Sequence, residues 1–360
     1  MSLRRIRVQA SVALVLIGLL FGFQAVIAQS VQKGAIAGGV KVDGPLVQEN
    51  LAIYVVRGKP TDARKYITLD EALRAKTVVL REQGTGSGQD RAQVNELEIQ
   101  NKSDQWLYIQ AGDVIQGGKQ DRTIGTDVAI PPHSKPQPIS AFCVEHGRWT
   151  PRSAGMAFES NTALVGSSKL KKSIQGEKNQ SAVWAEVAAQ ETKARESLQA
   201  NPNISAGALS TTGTYNAIVQ NSEIRAERAD YVDSLLPQLE KRNDAVGIVV
   251  AINGELTAAD VYASSALFQK LARKLVESYA LEALLARKQQ GISTPVAPSK
   301  QAALSFLTDV SRASGKDEKV GDSLHRTTRE TRGAVLYEYS ESDASAPGRT
   351  NVLHRSYVKK

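Results

Sequence analysis

The dipeptide Asn253-Gly254 constrains the fold of this chain more than any other local feature. It lies between two apolar runs, residues 247–252 and 255–262. A two-residue turn of this kind needs positive φ at both positions, which Asn and Gly adopt at little cost. The pattern predicts a tight hairpin and therefore an antiparallel sheet. An apolar stripe over residues 265–287 follows directly and predicts a long helix.

The N-terminal third is also typical of antiparallel β-structure, because short apolar runs alternate there with Gly, Pro, Asn and Asp. These runs cover residues 51–57, 77–81, 94–100, 106–110, 126–130 and 139–145. Thr68 and Glu71 have the spacing of a capping box and predict one short helix. Residues 101–104 predict a hairpin turn. That turn would place four alternating residues on one buried face, namely Leu97, Ile99, Leu107 and Ile109.

Helical periodicity replaces this pattern in the centre of the chain, at residues 181–199 and around Tyr231 and Leu235. The chain then ends with a short helix at 303–310 and strands at 333–339 and 352–358. We predict an α+β fold with an antiparallel β-rich N-terminal part, a central helical segment and a C-terminal hairpin-helix-strand part. The predicted boundaries are a signal peptide at 1–28, the β-rich part at 29–150, the mostly helical segment at 151–245, and an α/β part at 246–360 that packs on the same domain.

Residues 1–28 have the organisation of a secretory signal peptide. A basic stretch with Arg4, Arg5 and Arg7 precedes an apolar run at 12–23, and small residues precede a cleavage site at Gln29. The apolar run is shorter than the roughly 20 residues of a membrane-spanning helix, which favours cleavage over anchoring. We therefore expect an exported protein, periplasmic or extracellular. An uncleaved signal segment would be its membrane contact.

If the protein is exported, its net charge and its single cysteine can be interpreted for the mature chain. Removal of the three arginines lowers the formal net charge from +8 to +5, and the remaining charges are scattered. This argues against nucleic acid as a partner, since such proteins concentrate basic residues on one face. The single cysteine, Cys143, cannot form an internal disulfide, so the hydrophobic core must hold the fold together.

Residues 111–149, here called the dense segment, carry the candidate site. They read AGDVIQGGKQDRTIGTDVAIPPHSKPQPISAFCVEHGRW. The step Gly117-Gly118 permits a tight turn that presents polar side chains. The candidate ligand-binding residues are Asp113, Gly117, Gly118, Lys119, Gln120, Asp121 and Arg122 in the segment 112–122, and Glu145, His146, Arg148 and Trp149 in the segment 145–149.

Two interpretations of these residues remain open. Lys119 and Arg122, beside amides freed by the glycines, suit a carboxylate or a phosphate. Between residues 112 and 152, however, five basic residues face four acidic ones, so Asp-Arg pairs could instead lock a sheet corner. In the same way, Arg148 and Trp149 form either a ligand platform or a structural cation–π pair.

Metal and thiol chemistry are both disfavoured. A metal site would draw on His133, Glu145 and His146, but neighbouring strand residues point to opposite faces and the spacing fits no known ligand pattern. We predict no metal site, and the sequence identifies no cofactor. Glu145 shares the strand face of Cys143 and would raise its pKa, which indicates a buried structural thiol rather than a nucleophile.

Three stretches carry a family resemblance: GDVIQGGKQDRTIGTDVAIPPHS, CVEHGRW and GIVVAINGELTAADVYASSALF. They resemble a bacterial and archaeal family of uncharacterised domains named for association with ADP-ribosylglycohydrolases and rhodanese-phosphatase proteins. The resemblance covers most of the mature chain. It implies no particular reaction, because the family name describes domain neighbourhoods.

Two functional hypotheses follow. The first is an exported binding or interaction module that uses the segments 112–122 and 145–149, with a small anionic ligand, a glycan or an envelope protein as its partner. The second is a hydrolase, in which Asp113, Asp121 or Glu145 is the general base and Lys119 or Arg122 stabilises negative charge. Binding is the first hypothesis because no pair of these residues has a required catalytic spacing.

Overall fold

The computed structural model describes residues 39–82, 95–147, 158, 164–199, 214–287, 295–321, 324–342 and 350–360. The N-terminal strands are β1 (Lys41–Gln48), β2 (Leu51–Arg57), β3 (Tyr66–Thr68), β4 (Val78–Glu82), β5 (Glu96–Asn101), β6 (Trp106–Ile109), β7 (Val114–Ile115), β8 (Arg122–Ile124), β9 (Val128–Ile130) and β10 (Gln137–Cys143). The C-terminal strands are β11 (Ala245–Ile252), β12 (Glu255–Tyr262), β13 (Gly315–Lys319), β14 (Leu324–Glu330), β15 (Ala334–Ser342) and β16 (Thr350–Lys359). The helices are α1 (Leu69–Arg74), α2 (Ser168–Lys172), a π-helix (Ser173–Glu177), α3 (Gln180–Gln199), α4 (Tyr215–Gln220), α5 (Ser222–Glu240), α6 (Ser265–Leu285) and α7 (Lys300–Ser311).

An eight-stranded antiparallel sheet forms the centre of the fold, in the order β1-β2-β11-β12-β16-β15-β14-β13. The hairpin between β11 and β12 confirms the prediction from Asn253-Gly254, whose φ angles are +53° and +78°. All eight residues of β11 are buried, because helices cover both faces of the sheet. The two β-rich regions therefore share one sheet, since β1 and β2 extend the strands of the C-terminal part.

Helices α5 and α6 pack on one face of this sheet and α7 packs on the other. The predicted stripe of α6 is buried, including Leu271, Leu275 and Tyr279, and the Ser264 side chain caps the helix by accepting from Leu267 N. A Ser at this position satisfies a backbone donor that would otherwise be unpaired. None of the helices in the described ranges is long and apolar enough to cross a membrane.

Two smaller sheets carry the rest of the N-terminal part. One has the order β4-β5-β10-β8-β7, and the other has the order β3-β6-β9. Helix α1 begins after Thr68, and the predicted capping box with Glu71 is present. Side chains from both small sheets and from α1 share one apolar core.

The predicted hairpin at residues 101–104 is wrong. Strand β5 pairs with β4 and β10, whereas β6 pairs with β3 and β9, so the segment moves the chain from one sheet to the other. The Asn101 side chain holds this crossing by donating to the carbonyls of Gln105 (2.8 Å) and Pro131 (3.0 Å). The four alternating apolar residues are nevertheless buried in a common core, as predicted.

The central region is helical, and the architecture confirms the predicted α+β class with a β-rich N-terminal part. Val183 and Val187 of α3 pack with Leu170 of α2 and Ile218 of α4 against the end of α6. This cluster also includes Phe142 and Val144 of the dense segment. The central helices therefore hold the dense segment in place.

Candidate functional site

Residues 117–122 form the turn after β7 and the first residue of β8. The turn is shaped by its two glycines, whose φ angles are +129° and +55°. A Cβ on Gly118 would lie 2.7 Å from the Phe158 ring and 2.8 Å from Glu82 Oε1, so only glycine fits. Two carboxylates accept the backbone amides of the turn. Asp121 Oδ1 accepts from Gly117 N (3.2 Å), and Glu82 Oε1 accepts from Lys119 N (2.9 Å).

The turn lies directly against the corner that begins at Glu145. Gln120 Nε2 donates to the Glu145 carbonyl (2.9 Å), and Asp121 N donates to Glu145 Oε2 (3.1 Å). Val144 N in turn donates to the Asp121 carbonyl (3.0 Å). The structure thus brings together two segments that are separate in the sequence. We call residues 117–122 with residues 145–147 the turn–corner surface.

Asp121 holds this surface to the helical region. Its carboxylate is fully buried and accepts from Thr214 Oγ1 (3.0 Å) and Asn216 Nδ2 (2.8 Å), as well as from Gly117 N. Thr214 is also the N-cap of α4. Three donors on one buried carboxylate fix the position of the turn relative to α4.

Arg122 is buried beside the only cysteine. Its guanidinium contacts Glu82 Oε1 (3.5 Å) and the Cys143 sulfur. Burial raises the pKa of Cys143 although the charge of Arg122 opposes this shift. The prediction that Cys143 is a buried thiol is confirmed.

Asp113 contacts a different element. Its Oδ1 lies 2.6 Å from Lys274 Nζ of α6, and the same ammonium group lies 2.6 Å from Asp70 Oδ2. Asp113 Oδ2 accepts from Gln110 N (3.0 Å). Burial raises the pKa of Asp113, against the opposing charge of Lys274.

Few residues of the turn–corner surface are accessible to solvent. Lys119 is half-buried and His146 is exposed, with its ring edge-on to Trp184 at a centroid distance of 4.9 Å. Arg148 and Trp149 lie outside the described residues. His133 lies elsewhere, exposed and 2.7 Å from Asp104 Oδ1. Within the described ranges, no group of three or more His, Cys, Asp or Glu side chains is placed to hold a metal ion.

A family model matches residues 39–358, and its description is "ARG and Rhodanese-Phosphatase-superfamily-associated Protein domain", abbreviated ARPP-1. The chain belongs to the ARPP-1 family. This confirms the resemblance, and the match includes the dense segment, the central helices and the C-terminal strands. No curated protein and no solved structure matches the chain.

The ARPP-1 domain also contains a buried charge array that the sequence analysis missed. His354 Nδ1 lies 2.7 Å from Asp127 Oδ2, and its Nε2 lies 3.1 Å from Asp260 Oδ1. Lys171 Nζ contacts both oxygens of Asp260, at 3.1 and 2.9 Å. These four residues are at most 1 % exposed. A signal was present in the sequence, because Asp260 and His354 interrupt apolar strands at inward positions.

Tyrosines complete the array. Tyr108 donates to Asp127 (2.6 Å), Tyr279 donates to Asp260 (2.6 Å), and the Tyr262 ring stacks on His354 at 4.3 Å. Burial opposes the charged imidazolium, but the two carboxylates outweigh it and raise the pKa of His354. The positive charges of Lys171 and of a protonated His354 balance the negative charges of Asp127 and Asp260. Through Asp127, the array joins the dense segment to strands β12 and β16 and to helix α2 of the same domain.

Proposed function

We propose that this ARPP-1 protein is an exported binding module that uses the turn–corner surface, together with Arg148 and Trp149, to hold a small anionic ligand. The observation that carries the proposal is the junction of the two predicted segments through Gln120, Asp121 and Glu145. Buried hydrogen bonds fix this junction before any ligand arrives. A pre-organised surface loses less entropy on binding.

The anion would be held by side chains. Carboxylates of this chain already accept the amides of Gly117 and Lys119, so those backbone donors are occupied. Lys119 supplies a positive charge, and His146 with Trp184 supplies an aromatic edge for a sugar or an aryl group. A glycan or an envelope protein with acidic groups is a partner of the same chemistry.

The same geometry argues against the hydrolase hypothesis. A general base must reach the proton that it removes. Asp113, Asp121 and Glu145 are at most 2 % exposed, and each carboxylate already contacts a donor or a cation of this chain. Burial raises the pKa of Asp113, but Lys274 occupies its Oδ1.

Export is the cellular part of the proposal and is based on residues 1–28, which lie outside the described residues. Expression of the full chain in a bacterium should give a periplasmic or secreted product whose N-terminus is Gln29. Fractionation and intact-mass measurement test this. A full-length product in the cytoplasm would contradict it.

The binding proposal is tested with the mature protein from Gln29 onward in a thermal-shift screen of metals, nucleotides, sugars and sugar phosphates. Hits are then titrated by calorimetry into Lys119→Gln and into a matched control, Lys135→Gln, an exposed lysine of the dense segment. Arg122 is not substituted, because its side chain is buried against Glu82 and Cys143.

We expect an anionic hit whose affinity falls about fivefold or more in Lys119→Gln, as loss of one partly desolvated charge contact predicts, and stays unchanged in Lys135→Gln. Equal affinity in both variants would contradict the site. Absence of any hit would contradict a small ligand, and turnover of a hit would favour the hydrolase.

A further inference from the structure

A cleft of about 500 Å³ lies between the dense segment and the β13–β14 edge of the large sheet. The dense segment contributes Thr126, Ser140 and Phe142 to its lining, and the π-helix and the β13–β14 strands contribute Ile174, Glu318 and Arg326. Its lining contains no residue of the turn–corner surface. Pockets of about 300–1,000 Å³ are the usual size for small-molecule sites.

Arg326 is the most informative residue of the lining, because its side chain is buried and incompletely paired. It is 4 % exposed, and its two terminal nitrogens donate to the Gln175 carbonyl (2.8 Å) and to Glu318 Oε2 (2.8 Å). Its Nε has no hydrogen-bond acceptor among the described residues. A buried donor without an acceptor is energetically costly, and Arg326 is one of the residues that line the cleft.

The charges around the cleft also favour an anion. Glu318 is shared by two cations, since both Arg326 and Lys178 contact its carboxylate. A hydrogen bond from Lys178 is the main cause that lowers the pKa of Glu318. Lys319 adds a third cation to the lining, while Glu96 is the second carboxylate there. The cleft therefore has a net positive charge.

The remaining lining selects for a ligand that is not purely ionic. Phe142 and the half-buried Val320 provide an apolar surface beside the cations, and the lining also includes the buried Ile174. Ile174 belongs to the π-helix, a distortion that often occurs at functional sites. A free inorganic anion would leave this apolar surface in contact with water.

We propose that this cleft binds a small organic anion, a carboxylate or phosphate monoester with an apolar group, whose anionic oxygens contact Arg326 and Lys319 and whose apolar group lies on Phe142 and Val320. The site is distinct from the turn–corner surface. If binding at one site is disproved, the proposal for the other site is unaffected.

The test uses phenyl phosphate as the probe, with the mature protein followed by calorimetry and by saturation-transfer NMR. Two control compounds are used. Inorganic phosphate lacks the aromatic group of the probe, and benzyl alcohol lacks its phosphate group. The diagnostic variant is Lys319→Glu, and the matched control is Lys316→Glu, an exposed lysine of the same strand that does not line the cleft. Thermal melting of both variants checks that these exposed substitutions leave the fold intact.

We expect saturable binding of phenyl phosphate with a Kd of about 1 mM or tighter, weaker binding of both half-probes, and a loss of about fivefold or more in Lys319→Glu. Lys316→Glu and Lys119→Gln should change the affinity less than about twofold. No saturation up to about 10 mM probe would overturn the proposal. Equal losses in Lys319→Glu and Lys316→Glu, or a loss in Lys119→Gln, would overturn it as well.

Discussion

Two lysines on α6, one helical turn apart, offer a direct measure of what the buried charges contribute to stability. Lys274 is 5 % exposed, and its ammonium group lies 2.6 Å from both Asp70 and Asp113. Lys270 is 36 % exposed and lies 3.0 Å from Glu71. The substitutions Lys274→Met and Lys270→Met remove the same charge from the same helix.

The expected free-energy changes differ because the partners differ in burial. Lys274→Met leaves Asp113, whose side chain is 3 % exposed, without a cation, and removal of one partner from a buried pair costs about 3–5 kcal/mol. Lys270→Met breaks a solvent-screened pair, which is worth about 0–1 kcal/mol. Protonation of Asp113 can relieve the first cost. Burial already raises its pKa, so the deficit of Lys274→Met should shrink as the pH falls.

The assay is urea unfolding of the mature protein and both variants at neutral pH and near pH 5. Transitions with unchanged slopes allow midpoints to be compared as free energies of unfolding. A Lys274→Met variant that loses no more stability than Lys270→Met would refute the reasoning. A deficit that does not depend on pH would refute the assignment of the cost to Asp113.

Three further predictions follow from the same structure. The folded protein raises the pKa of His354, so the charged form of His354 stabilises the fold. This stabilisation is complete below the unfolded pKa of about 6.5 and is lost as the pH rises through the folded pKa. Urea midpoints measured from about pH 5.5 to 9 should therefore fall in the wild type and stay flatter in His354→Gln; identical slopes would count against this role. Gly118→Ala should cost about 1–3 kcal/mol, because its φ is +55° and the new Cβ would lie 2.7 Å from Phe158. Gly333→Ala is its control, since no atom lies within 4 Å of the added Cβ there; equal melting temperatures for the two variants would show that the turn tolerates a side chain. Cys143 is fully buried and burial raises its pKa, so a thiol reagent should modify it only after unfolding, and labelling of the native protein would contradict its burial.

Local chemistry explains which elements the sequence predicts well. The β11–β12 hairpin and α1 are specified by residues next to each other in the chain, a turn dipeptide in one case and a capping box in the other. Strand β14 was missed because its sequence, LHRTTRE, is polar. Its Arg326 is buried by Gln175, Glu318 and Tyr337, none of which is adjacent to it in the chain.

The same distinction applies to the candidate site. The sequence identifies the polar turn and corner, and their proximity depends on the pairing of β8 with β10. The partners that bury the turn, Glu82 and Thr214, are distant in sequence and could not be inferred from spacing. The His354 array combines residues from β16, β12 and α2 with the dense segment, so the polar positions in the strands are visible in the sequence but their pairing is not.

The place of β2 in the large sheet has a consequence for biosynthesis. Arg57 at the end of β2 pairs with Ala245 of β11, and its side chain bonds to Asp244, which is 187 positions later in the chain. At about 5–20 residues per second, a ribosome needs about 10 to 40 s to make the intervening chain. Throughout that interval β2, whose residues are almost all buried in the finished fold, has an unpaired edge on the side where β11 will add. We therefore expect the large sheet to form only after the second half of the chain has been made.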